Sequence, residues 1–278
     1  MAHFANGYEG DTVSLNYILQ AQSHEDVFIP GVTENPNVSV SVSGEIAYID
    51  IPADASIGEG TVGGKVEFSS KGVSTHQIPM TTALTISDVI PHANFATVAA
   101  DVVNSRWIQQ TEKLQDTMNL KALTAVKTAA TKFTDVTALT SANIYETIVN
   151  DIKEFETNTT NKALKLKPTG IIVGATAKAL LLNAPQFLRS TAVGDAAVTG
   201  GIIGSIDGKP VIESVELDAL GADYLIVNCL GIGVPSNVNS AKQFDATPLG
   251  YIDGTALAGE VGYGVYANAS FVFYHKGA

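Results

Sequence analysis

The chain has a single cysteine, Cys229, in 278 residues, which excludes an intramolecular disulfide, a thiolate metal cluster and a two-cysteine redox motif. Lying in an apolar run before Leu230, it reads as a small core residue. The five histidines, His3, His24, His76, His92 and His275, form no HxH or HxxxH pair, so local spacing offers no metal site. Basic residues are scarce: 16 Lys and Arg stand against 28 Asp and Glu, a net charge of −12. That balance argues against a surface built for nonspecific nucleic-acid binding, which needs clustered cations. No run of about 18 uninterrupted apolar residues occurs, and Met1-Ala2-His3-Phe4 lacks the basic and apolar regions of a secretion signal. The chain is therefore expected neither to span a membrane nor to be exported by a standard signal, and the sequons at Asn37, Asn158 and Asn268 carry little meaning.

Catalytic signatures are equally sparse. Neither a GxxxxGK[ST] phosphate loop nor a GxSxG elbow is present. Gly231-Ile232-Gly233-Val234-Pro235-Ser236 begins like a dinucleotide-binding turn, but Ser236 stands where the third glycine belongs and no helical pattern follows, so it reads as a loop between sheets. Asp50 and Asp54 straddle Pro52, where no helix can align them for acid–base work, and read as solvated carboxylates. No catalytic, cofactor-binding or metal-binding residue is expected.

What the chain does have is enough apolar material, 45% of residues, to bury a substantial core as one elaborate domain or two subdomains. Its most informative segment is Thr199 to Ser214, TGGIIGSIDGKPVIES, in which Asp207-Gly208 separates two short apolar runs. This is a hairpin signal, because a tight primed turn needs positive φ and glycine adopts it at little cost. Lys209-Pro210 opens the return strand, where proline gives up a donor the ladder does not need. Upstream, Pro168 to Gly174 reads as a buried strand running into a short helix, Ala175 to Asn183, closed by Pro185.

Residues 1–37 are polar, with one amphipathic piece at Val13 to Gln22, and read as an arm outside the core. From Val38 the pattern alternates as a strand, passes through Ile49-Asp50-Ile51-Pro52 into the glycine-rich tip ADASIGEGTVGG at 53–64, and returns through Lys65 to Phe68 and Val73 to Ser87. Such a long hairpin is unstable alone and must lie on something. Asn94 to about Lys127 predicts a long helix with Phe95, Val98, Val102, Trp107, Leu114, Met118, Leu123 and Val126 on one stripe. Ser141 to Glu156 predicts a second helix, with Ile144, Ile148, Ile152 and Phe155 at helical spacing and Ser141 or Asn143 as N-cap. Tyr224 to Asn228 reads as a buried strand, Gly231 to Asn239 as a loop, and Gly262 to Lys276 as one long half-buried strand. The charge is uneven: residues 1–100 sum to −9, 101–190 to +3 and 191–278 to −6, a pattern that in an assembly lets acidic parts of one copy meet basic helices of another.

An acidic chain without catalytic motifs, with an arm, an extended hairpin, a long helix and a separate α/β unit, would expose strand edges hazardous for a free monomer. In this order the layout resembles the major capsid proteins of tailed bacteriophages. The resemblance covers nearly the whole chain and rests on NIYETIVNDIKEF, PTGIIVGATAKALLL and GSIDGKPVIES as an axial core, with VEFSSKGVSTHQIPMTTALTISD returning from an extended loop to a long helix. It implies an α+β fold with an N-terminal arm at 1–37, an extended loop at 38–80, a peripheral domain with its spine helix at 81–140 and 239–278, and an axial domain at 141–238. It further implies a structural protein without enzymatic activity or cofactor, self-assembling as hexamers and pentamers into an icosahedral virion shell around double-stranded DNA. The expected partners are further copies of the chain, a portal and, since Met1 opens directly on the arm, a separate scaffolding protein; assembly would take place in the host cytoplasm, away from membranes. Asp207, Gly208, Lys209 and Pro210 would then be the axial-domain hairpin. Some members join a loop lysine to a peripheral asparagine by an isopeptide bond, roles in which Lys65 or Lys71 and Asn268 could be cast, but the bond demands a buried, deprotonated lysine, and ordinary exposed lysines are the simpler reading. The alternatives are an encapsulin-like compartment, which shares this fold but docks cargo on an N-terminal helix, and a ligand-binding α/β enzyme using Gly231 to Ser236. A β-rich tail or adhesion subunit fits poorly with the long helix.

Overall fold

A computed structural model describes residues 27–41, 44–52, 73–91, 99–190, 202–245 and 254–277. Its axis is a 31-residue helix, α1 (Ala99–Ala129), about 46 Å long at the usual rise. No Gly or Pro interrupts it, and Thr111, Thr117, Thr124 and Thr128 each return their hydroxyl to the carbonyl four residues earlier. Trp107, Thr111, Leu114, Met118, Ala122, Leu123 and Val126 form its buried stripe, at the three- and four-residue spacing of one helical face. The expected members Phe95 and Val98 lie outside the described residues.

Two sheets hang on this helix. A six-stranded sheet has the order β5-β14-β9-β6-β8-β7, built from β5 (Thr131–Lys132), β6 (Gly170–Gly174), β7 (Ile202–Ile206), β8 (Lys209–Ser214), β9 (Tyr224–Val227) and β14 (Val272–His275). The runs GIIVG and YLIV are apolar throughout because both faces are covered. Ile171, Val173, Tyr224, Ile226 and Phe273 point into a core closed by α2 (Ile144–Thr157), α4 (Ala175–Leu182) and α5 (Pro185–Ser190). Ile172, Leu225, Val227 and Val272 point the other way, onto Ala122, Leu123 and Val126 of α1, Val27, Phe28, and Leu217 of the one-turn α6 (Glu216–Ala219). The short α3 (Thr159–Leu164) follows α2 and is capped by Asn158, whose Oδ1 accepts the amide of Thr160 at 3.1 Å.

The second sheet is antiparallel, β11-β12-β4, from β4 (Thr82–Pro91), β11 (Ser236–Asp245) and β12 (Gly254–Tyr263). The first half of α1 lies against it: the Trp107 ring reaches Gly259 beside Ile86, and Arg106 pairs with Asp88 of β4. A third, small sheet is formed by β1 (Ser39–Val40), β2 (Ile46–Pro52) and β3 (Val73–Pro79). It buries Ala47, Ile49 and Ile78 with Met80 and leaves its other face, including Asp50, Thr75 and Gln77, in solvent.

Five expectations change. Val73 to Ser87 is two strands, since β3 pairs with β2 and β4 with β12; the switch falls after Pro79, where Met80 donates its amide to Glu45. Gly262 to Lys276 is likewise broken. A Cβ on Gly264 would stand 2.8 Å from the Pro79 carbonyl, and after the two-residue β13 (Tyr266–Ala267) a turn at Asn268 separates it from β14. Gly231 to Asn239 is no plain loop, because β10 (Ile232–Gly233) pairs with β13 and β11 begins at Ser236. The arm is not all outside the core: Val27, Phe28, Thr33, Glu34 and Asn35 are buried. Finally, β5 and β14, expected with the long helix, belong to the six-stranded sheet and share its core through Phe133 and Phe273.

Candidate assembly surfaces

The β7–β8 hairpin turns at Asp207 and Gly208, both at positive φ (49° and 74°), with Ile206 facing Lys209. Two successive left-handed residues make the primed turn whose twist matches its strands. The Lys209 ammonium pairs with Asp207 and lies 3.9 Å from Glu156 near the end of α2, which ties the tip to the helix layer. Pro210 pairs only with Ser205 of the edge strand β7, and the parallel ladder to β6 starts one residue later at Val211. Its missing N–H therefore costs the sheet nothing.

The root of the arm is built in by hydrogen bonds. Thr33 Oγ1 donates to the Val27 carbonyl at 2.6 Å, and Thr169 Oγ1 donates to that of Val32 at 2.6 Å. Asn35 Nδ2 bridges the carbonyls of Asp50 and Leu230, joining residues 27–36, β2 and the turn after β9 at one side chain. Glu34 Oε1 accepts the amide of Val234 at 2.9 Å, and burial pushes its carboxyl up to about 7.

Lys65 and Lys71, the candidate crosslinking lysines, lie outside the described residues. Asn268 is half-buried and held in a turn: its backbone N–H donates to the Gly231 carbonyl and its Oδ1 accepts the Ser270 backbone N–H at 3.0 Å, an Asx turn. The glycines of the dinucleotide-like stretch serve packing. A Cβ on Gly231 would stand 2.3 Å from that of Phe271, and one on Gly233 would meet Ile78, Ile49 and Val38. Cys229 is buried as expected, and burial raises its thiol pKa.

Two buried polar pairs were not anticipated. Asp151 of α2 accepts the Tyr224 hydroxyl at 2.5 Å; desolvation pushes its carboxyl up to about 7 and raises the phenol further. The sequence does carry a signal, because Asp151 sits three residues after Ile148 and one before Ile152, on the apolar stripe. His275 stacks on Tyr224 at 4.9 Å, with Nδ1 3.2 Å from Asp223 Oδ2. Tyr224 packs in one core with Phe155 and Phe273, whereas the Asp223 side chain is 23% exposed. Among the described residues no three His, Cys, Asp or Glu gather as a metal site, and no helix is long and apolar enough to cross a membrane.

No family model and no curated protein matches the sequence. Solved structures do. The capsid structure of the cyanophage P-SCSP1u superposes with a TM-score of 0.63 over 92% of this chain and 89% of its own, at 14% identity. The bacteriophage PhiM1 mature capsid does so at 0.60 over 90% and 87%, at 15% identity. A virus-like particle from Pyrococcus furiosus covers 96% of this chain and 100% of its own at 0.56 and 14% identity. The α+β architecture strung on α1, with its six-stranded sheet, its three-stranded sheet and its hairpin, is the phage major capsid protein fold.

Proposed function

We propose that this chain is a structural protein that assembles with copies of itself, as hexamers and pentamers, into an icosahedral shell enclosing double-stranded DNA. The observation that supports this most is the extent of the structural likeness: it takes in nine-tenths or more of the chain in the cyanophage, PhiM1 and Pyrococcus comparisons, and nearly all of the matched chains. The fold itself is consistent with the role. A helix of about 46 Å couples two sheets, and buried Asn35 ties arm, loop and axial unit together, so load on one part is carried to the others. In this reading β4, α1, β11 and β12 form the peripheral part, the six-stranded sheet with α2 to α6 the axial part, and residues 38–80 the extended loop lying on a neighbour. Function is then mechanical, the sum of many weak symmetric contacts, within a virion that a portal and a separate scaffolding protein help to build.

Negative-stain microscopy of the purified chain tests this. Rings, sheets or hollow shells are expected, and dispersed single chains at every concentration would overturn it. The full coverage of the Pyrococcus particle favours a second reading, a protein compartment of encapsulin type. Nucleic-acid content separates the two: shells isolated from an infected or producing cell carry nuclease-protected DNA in the first reading and protein cargo in the second.

A further inference from the structure

The six-stranded sheet carries unpaired charge of opposite sign at its two ends. β6 and β8 run parallel, with Ile171 beside Val211 and Gly174 beside Ser214. The residues leading into β6 and those leaving β8 therefore lie at opposite ends, about 16 Å of strand apart. At the first end α3 closes on Lys165, held left-handed at φ 57°, and the chain enters β6 past Lys167, whose carbonyl accepts Asn228 Nδ2 at 2.6 Å. Lys162, Lys165 and Lys167 are exposed and border a cavity of about 180 Å³. None of the three pairs with a carboxylate among the described residues, and Glu156 beside them is turned toward Lys209.

At the other end Ser214 runs into Val215, which is 68% exposed, and Glu216. These border a second cavity, of about 250 Å³, together with Asp116 of α1. Other acids of this end are engaged within the chain: Glu213 pairs with Lys178, Asp218 accepts the amide and hydroxyl of Thr176, and Asp223 accepts from His275 and Lys276. Asp116 and Glu216 have no such partner among the described residues. An exposed apolar residue on the same cavity as two carboxylates that have no partner among the described residues matches three lysines, whose aliphatic stems can cover it while their ammonium groups reach the acids. Faces at opposite ends of one subunit that complement each other make a head-to-tail contact, which closes into a ring when the rotation between neighbours divides a full turn. In a chain of net charge −12, most other approaches of two copies are repulsive, so these lysines would also fix the register.

We infer that the end carrying Lys162, Lys165 and Lys167 docks on Val215, Asp116 and Glu216 of the next copy around a ring. The inference rests on the shell-forming reading above. It is tested on the full chain with K162E/K165E/K167E, with D116K/E216K, and with all five changes combined. Light scattering reads the protein concentration at which particles first form, and circular dichroism checks that each variant is folded. Each reversal alone should raise that concentration on the order of tenfold in low salt, because like charges now face each other across every contact. The combined variant should return to near the wild-type value. Milder K162Q/K165Q/K167Q should fall between and lose the wild-type sensitivity to added salt. Reversal of the lysines without effect, or a combined variant no better than its parents, would overturn the pairing while wild-type particles still stood. Loss of nucleic acid from the particles without rescue would assign the lysines to DNA instead. Failure of the wild type to form particles would sink the shell reading and this contact with it.

Discussion

Replacing Asp151 with asparagine should flatten the dependence of stability on pH. The carboxyl is 1% exposed, beneath Tyr224 and among the apolar residues of α2, and it holds its proton up to about pH 7 where an unperturbed aspartate has a pKa of 3.8. Between those values the folded chain keeps a proton that the unfolded chain has released. The stabilisation is therefore complete below about pH 4 and is lost as pH rises through 7. At 1.36 kcal/mol per pH unit, the interval corresponds to about 4 kcal/mol. Glu34, raised from 4.5 to about 7, adds about 3 kcal/mol of the same sign. Asparagine keeps an oxygen for the Tyr224 hydroxyl but cannot ionise, so D151N should lose roughly half of the wild-type decline between pH 5 and 8 and D151N/E34Q most of it. Urea unfolding of unassembled protein, followed by circular dichroism and by Trp107, the chain's one tryptophan, reads this directly. D151N should be the more stable protein at pH 8 and not at pH 5. The wild-type slope in D151N, or a D151N less stable than wild type at pH 8, would show that the buried carboxyl is already ionised and refute the reasoning.

Other consequences can be checked one substitution at a time. Gly231→Ala forces a methyl to within 2.3 Å of Phe271 Cβ and should cost about 1–3 kcal/mol by overpacking, read as a lower urea midpoint; an unchanged midpoint would mean that this glycine is not a packing residue. Phe28→Ala, at a fully buried position packed with the end of α1, should cost about 3–5 kcal/mol and expose the segment around residue 27 to protease. Gly208→Ala keeps the hairpin but strains a turn at φ 74°, at about 1 kcal/mol. Because Asn268 Oδ1 already caps a turn, particles boiled in detergent should run as a single 29.0 kDa band; a ladder of covalent multimers would establish the isopeptide link.

Periodic segments were legible because one physical rule governs each. In α2 the spacing of Ile144, Ile148, Ile152 and Phe155 names the buried face, and in the β7–β8 hairpin the Asp-Gly pair names the turn. The buried runs at 170–174 and 224–227 could be read as strands for the same reason. Misreadings arose where a partner distant in sequence decides. Nothing local distinguishes β3 from β4 across Pro79, since the break is set by β2 on one side and β12 on the other. Residues 27–35 look loop-like because Pro30-Gly31 breaks them, yet Thr33, Glu34 and Asn35 are buried, the last two by bonds to amides and carbonyls up to 200 residues away. The same holds for the C-terminal strand, whose alternation reads as continuous although Gly264 and the Asn268 turn hand it from one sheet to another. Asp151 was the exception, a charged residue on an otherwise apolar stripe, which local pattern alone exposes.

The central claim, that this fold serves a closed shell of identical chains, is tested most directly by the mass of the assembled particle. Mass measurement of purified particles should give at least about 1.7 MDa, the sixty copies of a 29.0 kDa chain that the smallest icosahedral shell requires, with little material between capsomer and shell. A single species at 29.0 kDa at all concentrations tried would contradict it.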